Sequence, residues 1–140
     1  MDKILILSFI FILSSLTYVT YNQEEDAVQI PIQNYFKGQA TGNPEYIRKA
    51  FHPDAKLFFI HEGRYSQLTL DEFTARFNGK PAPDEMERKR SIEKIDISGN
   101  AAMVKLILKY PTVTFTDYMS LLKIEGEWKI VNKTFYAEAK

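Results

Sequence analysis

Histidine and cysteine, two side chains that often transfer protons or bind metals in proteins, are scarce in this sequence. The 140 residues include two histidines and no cysteine, which excludes a thiolate nucleophile and a cysteine-based metal site. His52 and His61 lie in separate predicted elements and match no metal-ligand spacing. We therefore expect neither a metal nor a cofactor, and the remaining candidates are carboxylates and tyrosines that strands would turn inward.

Asp117 is the leading candidate because it lies in a predicted strand among apolar residues. The last third of the chain predicts four strands, 88–97, 101–110, 113–124 and 127–136, joined by short turns into an antiparallel meander. A carboxylate on an apolar sheet face is costly unless it is hydrogen-bonded or protonated, so such residues mark candidate sites.

Counting residues outward from each two-residue turn predicts which side chains share a face. Across the turn at Glu125-Gly126 this pairs Asp117 with Thr134, and across the preceding turn it pairs Asp117 with Leu106. The inner face then carries Ile95, Ile97, Ala102, Val104, Leu106, Leu108, Phe115, Met119, Leu121, Trp128 and Ile130. Its polar members are Glu93, Asp117, Asn132, Thr134 and Tyr136.

Two roles for Asp117 stay open. It could contact a ligand, or it could be held by Tyr35, Thr134 or Asn132 to fix the shape of the sheet. An inward Glu93 could share a proton with Asp117, but one bulge would flip that strand, and we expect Glu93 to lie on an exposed edge.

Helical patterns precede these strands. Apolar spacing predicts a first helix from near Val28, with Pro31 in its first turn, to Thr41. Asn43-Pro44 caps a second helix that runs to Phe51-His52 and stops at Pro53.

A hairpin and a third helix follow. Residues 56–60 and 65–68 form the hairpin around Glu62-Gly63. Thr69 and Glu72 form a capping box that opens the third helix, which runs to Phe77. This order predicts an α+β domain in which three helices cover the inner face of a curved antiparallel sheet.

The same order of elements carries a resemblance to a known family. The motifs are Tyr35-Phe36 before Gly42-Asn43, the run Phe51-His52-Pro53-Asp54-Ala55, and the run from Glu127-Trp128 to Phe135. Together they resemble the nuclear transport factor 2-like superfamily, of cystatin-like fold, and within it the secreted bacterial branch named for lumazine binding. The resemblance implies a cone-shaped domain over residues 24–140, with a pocket between sheet and helices. It specifies fold more than function, because this scaffold hosts isomerases, dehydratases, cyclases and transport adaptors.

Comparison with the ketosteroid isomerases of that superfamily implies roles for single residues. Tyr35 matches the position of their hydrogen-bond-donating tyrosine, and Asp117 that of their protonated aspartate. Phe59 falls where they carry the proton-abstracting carboxylate, which disfavours that reaction. Dehydratase relatives use a histidine–aspartate pair, for which His52 or His61 would have to join Asp117. His52 could equally cap a helix, and His61 could lie at an exposed hairpin tip.

We therefore expect non-covalent binding of a small aromatic or heterocyclic molecule. The expected ligand-binding residues are Asp117, Tyr35, Asn132, Thr134, Tyr136, Phe115, Met119 and Trp128. One alternative is an acid–base enzyme that uses Asp117, Tyr35 and His52. Another is an interaction module whose own side chains fill the cone.

The outward face of the sheet predicts self-association. Tyr118, Leu122, Val131 and Phe135 form a surface too apolar for open water, which indicates a homodimer. The 18 basic and 18 acidic residues balance, so no overall field attracts nucleic acid.

The amino terminus predicts the compartment. Residues 1–20 contain an uncharged apolar stretch from Ile4 to Leu16, which is typical of a signal peptide. We expect a secreted or periplasmic protein. An uncleaved anchor is the alternative, and it alone would place the chain at a membrane.

Overall fold

The computed structural model describes residues 23–140, and the predicted signal peptide lies outside the described residues. The first helix, α1, is described from residue 23 to residue 41. The elements that follow are α2 (Pro44–Ala50), β1 (Phe51–His61), β2 (Arg64–Thr69), α3 (Leu70–Thr74), a 3-10 turn (Glu85–Glu87), β3 (Lys89–Ser98), β4 (Ala101–Lys109), β5 (Val113–Ile124) and β6 (Glu127–Ala139).

The six strands form one curved, unclosed sheet in the order β2-β1-β6-β5-β4-β3. All neighbouring strands are antiparallel except β1 and β6, which are parallel. The predicted α+β class, with a curved sheet and three helices, is confirmed. The parallel pair arises because the chain leaves the first hairpin through α3 and returns along the meander, so that β6 runs beside β1.

The core lies between α1 and the inner face of the sheet. Val28 and Ile32 of α1 have no exposed surface, and neither do Val104, Met119 and Ile130 of the sheet. The first described turn of α1 is also fixed, because Glu24 accepts hydrogen bonds from Lys123 Nζ and Trp128 Nε1 at 2.6 and 3.1 Å. These contacts hold α1 against β6 and against β5, the strand that carries Asp117.

Three helix boundaries differ from the predictions. The second helix ends at Ala50 rather than at His52, because His52 precedes Pro53 and its backbone is biased towards extended conformations. The third helix ends at Thr74 rather than at Phe77. α1 already includes residue 23, so Pro31 lies inside it rather than in its first turn.

The cap signals are confirmed. Asn43 accepts a hydrogen bond from the backbone N–H of Glu45, and Thr69 and Glu72 form the capping box. Gly42, which ends α1, has a φ of +65°, and a Cβ there would lie 1.9 Å from the carbonyl oxygen of Lys80. Only glycine fits that approach.

The predicted register of the last four strands is correct except where two bulges, one in β3 and one in β6, shift it. Leu106 faces Asp117, and Ile97 faces Ala102, as predicted. In β6, however, Ile130 faces Leu121 while Asn132 faces Ser120, so that Val131 is an extra residue.

The bulge at Val131 places the rest of β6 on the opposite faces from those predicted. Asp117 faces Phe135 rather than Thr134, and Met119 faces Lys133 rather than Asn132. A second bulge leaves Glu93 unpaired in β3, and its exposed carboxylate forms a salt bridge with Lys105. The expectation of an exposed Glu93 is therefore confirmed.

Among residues 23–140, no helix combines the length and the apolar character that a membrane crossing requires.

Candidate functional site

The candidate site is built around Asp117, whose side chain is completely buried on the inner face of β5. Tyr35, also completely buried, reaches it from α1, and the Tyr35 hydroxyl donates a hydrogen bond to Asp117 Oδ2 at 2.8 Å. The sequence placed these two residues correctly, because the register of β4 and β5 and the helical spacing of α1 both hold.

Lys133 is the third member of this cluster, although the predicted inward positions of Asn132 and Thr134 imply that the lysine between them faces outward. The bulge at Val131 turns Lys133 inward, where its Nζ lies 2.8 Å from Asp117 Oδ2 and donates to the Tyr35 hydroxyl at 2.7 Å. The three side chains form a closed triangle of polar contacts, which we call the Lys–Tyr–Asp cluster. The ammonium also lies 4.7 Å from the centre of the Phe135 ring, an arrangement that favours a cation.

The electrostatics of the cluster favour a neutral phenol. Burial raises the pKa of Tyr35 well above its usual value, and the negative charge of Asp117 raises it further. Tyr35 therefore keeps its proton at physiological pH and acts as a hydrogen-bond donor to the carboxylate. The Lys133 ammonium stabilises Asp117 where water cannot, which makes this buried carboxylate tolerable.

A pocket of about 330 Å³ opens beside the cluster. This volume lies within the range typical of small-molecule sites. The pocket is lined by Tyr35, Gln39, Leu57, Phe59, Ile60, His61, Leu68, Phe73, Arg76, Leu108, Tyr110, Phe115, Lys133, Phe135 and Ala137. Its walls are mostly apolar and aromatic, with Lys133 and Tyr35 among the few polar groups.

Stacked aromatic rings form one wall of the pocket. Phe59 of β1 stacks on Phe135 of β6 with ring centres 4.9 Å apart, and Phe115 meets Phe135 edge to face at 6.2 Å. The parallel pairing of β1 with β6 sets Phe59 opposite Phe135. Flat ligands fit such walls because their rings can continue the stack.

Two buried polar atoms near the pocket lack a hydrogen-bond partner within residues 23–140: Asp117 Oδ1 and the Tyr110 hydroxyl. Burial raises the pKa of Tyr110, with Asp117 adding to the rise and Arg90 opposing it. Tyr110 belongs to the pocket lining, whereas Asp117 Oδ1 is buried behind the pocket wall. The unpaired phenol is therefore the hydrogen-bonding group that lies beside the pocket.

The structure separates the residues predicted to line the pocket into four groups. Tyr35 and Phe115 do line it. Asp117 and Met119 face the same way but are completely buried, and the pocket wall does not include them. Trp128 is wrong as a residue of this pocket: it lies before the bulge in β6, and its Nε1 donates a hydrogen bond to Glu24.

The other predicted pocket residues are on the outer face. Asn132, Thr134 and Tyr136 point away from the pocket because of the Val131 bulge, and Tyr136 is 63% exposed. Phe135, predicted on the outer face, lies inside.

One sequence signal could have revealed the bulge. The predicted inner row of β6 began with Trp128 and Ile130 and then changed to three successive polar residues, whereas a shift by one residue restores Phe135 to the core. Arg76 and Tyr110 were also missed, since neither lies in a motif.

Neither histidine joins Asp117. His52 lies in β1, where its Nδ1 accepts a hydrogen bond from the backbone N–H of Asp54 at 3.2 Å; its predicted role as a helix cap is wrong. His61 ends β1 and lies at the rim of the pocket. Tyr35 instead donates a hydrogen bond to Asp117, and Lys133 forms a salt bridge with it. The residues that the structure describes contain no cluster of three or more His, Cys, Asp or Glu that could hold a metal ion.

The curved sheet, its helical cover and this pocket define a nuclear transport factor 2-like (NTF2-like) domain with a ligand-binding pocket. Within that class, the chain belongs to the family described as "Putative lumazine-binding", whose sequence model matches residues 23–136. The family predicted from the sequence motifs is thereby confirmed.

Individual relatives agree with this assignment. An NTF2-like protein of unknown function from Shewanella baltica is 27% identical, with a TM-score of 0.78 over 86% of this chain and 98% of its own. Another from Methylobacillus flagellatus is 26% identical, with a TM-score of 0.73 over 84% and 94% of the two chains. Aldolase FrzH from Cladobotryum sp is 24% identical over 118 residues, which cover 83% of this chain and 93% of the aldolase.

Proposed function

We propose that this protein binds a small, flat, heterocyclic or aromatic molecule in the pocket, without forming a covalent bond to it. The observation that carries the proposal is an aromatic-walled pocket of about 330 Å³ with the Lys–Tyr–Asp cluster at its edge. A cone filled by its own side chains would leave no such space, so the filled interaction module is the weaker alternative.

The cluster specifies which polar group the ligand carries. A lysine ammonium has three N–H donors, and Lys133 uses one of them in a hydrogen bond to the Tyr35 hydroxyl and forms a salt bridge with Asp117 Oδ2. A remaining donor is available to an acceptor in the pocket. A ring carbonyl or ring nitrogen supplies that acceptor while the ring itself stacks against Phe59 and Phe135. The family's name agrees with such a ligand.

The test uses lumazine itself as the probe, together with mass spectrometry of molecules released when the purified protein is denatured. Calorimetric titration is expected to give saturable binding, and Ala137→Phe, which fills the pocket, is expected to weaken it about tenfold or more. Glu138→Phe, one residue further along the strand, is the matched control and leaves binding unchanged. Absence of both lumazine binding and any released molecule would contradict the proposal.

A second candidate function is proton transfer at a carbonyl compound. Lys133 lines the pocket with its ammonium 2.8 Å from the buried Asp117 carboxylate, so the ammonium can give a proton to Asp117. The neutral amine so formed can then take a proton from the α-carbon of the carbonyl compound, while Tyr35 keeps its own proton. Removal of a proton next to a carbonyl group forms an enolate, which the site must stabilise. The similarity to an aldolase agrees with such chemistry. His52, the histidine first considered for this role, is replaced here by Lys133.

Deuterium exchange into the α-carbon positions of a panel of simple ketones, followed by NMR, tests this second function. Wild-type protein is expected to accelerate the exchange, and Lys133→Met is expected to abolish the acceleration. If wild-type protein and the Lys133→Met variant gave the same rate of deuterium exchange, proton transfer would be contradicted and binding would remain as the proposed function.

We also propose that the protein forms a homodimer through the outer face of the sheet. Tyr118 and Leu122 are 43% and 41% exposed there, and Val131 lies beside them on β6. Phe135 no longer belongs to this surface, because it lies inside the pocket. Light scattering is expected to give a dimer mass that Tyr118→Asp converts to a monomer mass, whereas a wild-type monomer at high concentration would contradict the proposal.

Export remains a proposal that rests on residues 1–20 alone. We propose a secreted or periplasmic protein from which the signal peptide has been removed. Amino-terminal sequencing of protein from the exported fraction is expected to begin between about residue 16 and residue 22. An intact Met1 on a membrane-bound product would favour the anchor instead.

A further inference from the structure

Arg76 gives the rim of the pocket a positive charge. It follows α3 in the chain, is exposed, and lines the pocket together with Lys133 and His61. Within residues 23–140 no carboxylate lies within salt-bridge distance of Arg76. Glu72, one turn earlier, interacts with Arg76 only at longer range, and its carboxylate accepts hydrogen bonds from Thr69 instead. Other arginines near the helices are paired, for example Arg48 with Asp71 at 2.8 Å. The guanidinium of Arg76 is therefore available to a ligand.

The charge of the surrounding surface has the same sign. A neighbouring cavity shares Gln39, Phe73 and Arg76 with the pocket and adds Lys80 and Arg88 to its lining; Arg88 is paired with Asp84 at 2.8 Å, so Lys80 supplies the added positive charge. Of the residues that the structure describes, no aspartate or glutamate lines either cavity. Inside the pocket the charge of Lys133 is balanced by Asp117, which is buried behind it. The net charge that a ligand meets at the rim is thus positive.

Apolar walls and a cationic rim fit a molecule with two unlike ends. A flat aromatic body satisfies Phe59, Phe115 and Phe135, but on its own it leaves Arg76 unpaired. A carboxylate or sulfonate group pairs with a guanidinium through two parallel hydrogen bonds, a geometry that a neutral polar group cannot reproduce. Complementary charge at an entrance also speeds the approach of the ligand.

We propose that the pocket selects aromatic anions, with the rings against the phenylalanine wall and the anionic group at Arg76. This rests on the proposed binding function and adds the chemical class of the ligand to it. Arg76 is then the specificity-determining residue of the rim, while Lys133 serves the acceptor on the ring itself.

Two fluorescent probes that differ by one anionic group test the proposal. 1-Anilinonaphthalene-8-sulfonate carries a sulfonate, and N-phenyl-1-naphthylamine is the same ring system without it. Wild-type protein is expected to bind the sulfonate about three- to tenfold more tightly, with an advantage that falls as salt is added. Arg76→Gln is expected to remove most of that advantage and leave the neutral probe unaffected, which also shows that the variant is folded.

Lys94→Gln is the matched control, because it removes one positive charge from an exposed position on β3 outside both cavities. It is expected to change the affinity for neither probe. Equal binding of the two probes, or loss of the preference in the control as well, would overturn anion selection while leaving binding intact. If neither probe binds, the pocket does not accept aromatic molecules and the binding function fails with it.

Discussion

Strand β6 divides the inside of the cone into two unlike halves at Val131. Before the bulge, Ile130 packs with Met119 and Val104 into a half that excludes solvent completely, which we call the closed half. After it, Lys133 and Phe135 line a cavity, which we call the pocket half. Strand β6 therefore contributes to close packing at one end and to a polar, open site at the other.

The contrast shows that the pocket half is not built for stability. A buried ion pair gains little over well-packed apolar side chains of similar volume, because both charges must leave water. The closed half achieves dense packing without any charged group in its core. The Lys–Tyr–Asp cluster is therefore better explained by what it offers a ligand than by what it adds to folding.

Removal of the Lys133 charge is expected to have the largest effect on stability. Lys133→Met leaves Asp117 buried with only Tyr35 as a partner, which should lower the free energy of unfolding by about 3–5 kcal/mol. The double variant Lys133→Met with Asp117→Asn is expected to recover part of that loss. Urea denaturation followed by circular dichroism measures both, and a loss under about 1 kcal/mol would mean that Asp117 is hydrated.

A cavity in the closed half is expected to cost somewhat less. Met119→Ala should lower the free energy of unfolding by about 2–5 kcal/mol, because the surrounding core cannot collapse fully. Phe115→Ala in the pocket half should cost less than its larger size suggests, since one side of the ring already borders open space. An equal or greater loss for Phe115→Ala in the same denaturation assay would remove the distinction between the halves.

Alkaline pH is expected to destabilise the protein through the pocket half. The raised pKa of Tyr35 means that, above about pH 10, the unfolded chain loses this proton while the folded chain keeps it. The free energy of unfolding should then fall by up to about 1.4 kcal/mol per pH unit from this group. Stability measured against pH should fall less steeply in Tyr35→Phe than in the wild type. Identical slopes would indicate that Tyr35 ionises freely.

The smallest effect is expected on the outer face of the pocket half. Thr134→Glu places a charge on an exposed position of β6, and stability should change by no more than about 0.5 kcal/mol. The adjacent Phe135→Glu places the same charge inside and should be strongly destabilising. If thermal denaturation showed Thr134→Glu to be the more destabilising of the two variants, Thr134 would lie inside, as the predicted register without a bulge requires.

Sequence reasoning succeeded where local signals determine structure. The caps at Asn43 and Thr69, the turn at Glu125-Gly126 and the pairing of β4 with β5 depend on residues close in the chain. These signals were sufficient for the fold, and they brought Asp117 and Tyr35 to the same site.

The rest of the site depended on one unpaired residue. Val131 has no local feature, such as a glycine, that predicts a bulge. The parallel pairing with β1 also shifts register between Ile130 and Asn132, and residues close in the chain do not specify that pairing. Because side chains alternate along a strand, that single extra residue turns Lys133 and Phe135 to the inner face of β6 and turns Asn132, Thr134 and Tyr136 to the outer face.

The most direct test of a ligand site in the pocket half is chemical-shift mapping by NMR during titration with 1-anilinonaphthalene-8-sulfonate. We expect the signals of Phe59, Phe115 and Phe135 to shift in a saturable manner, while those of Met119 and Ile130 in the closed half stay in place. Shifts confined to Tyr118 and Leu122 on the outer face, or an absence of shifts anywhere, would contradict it.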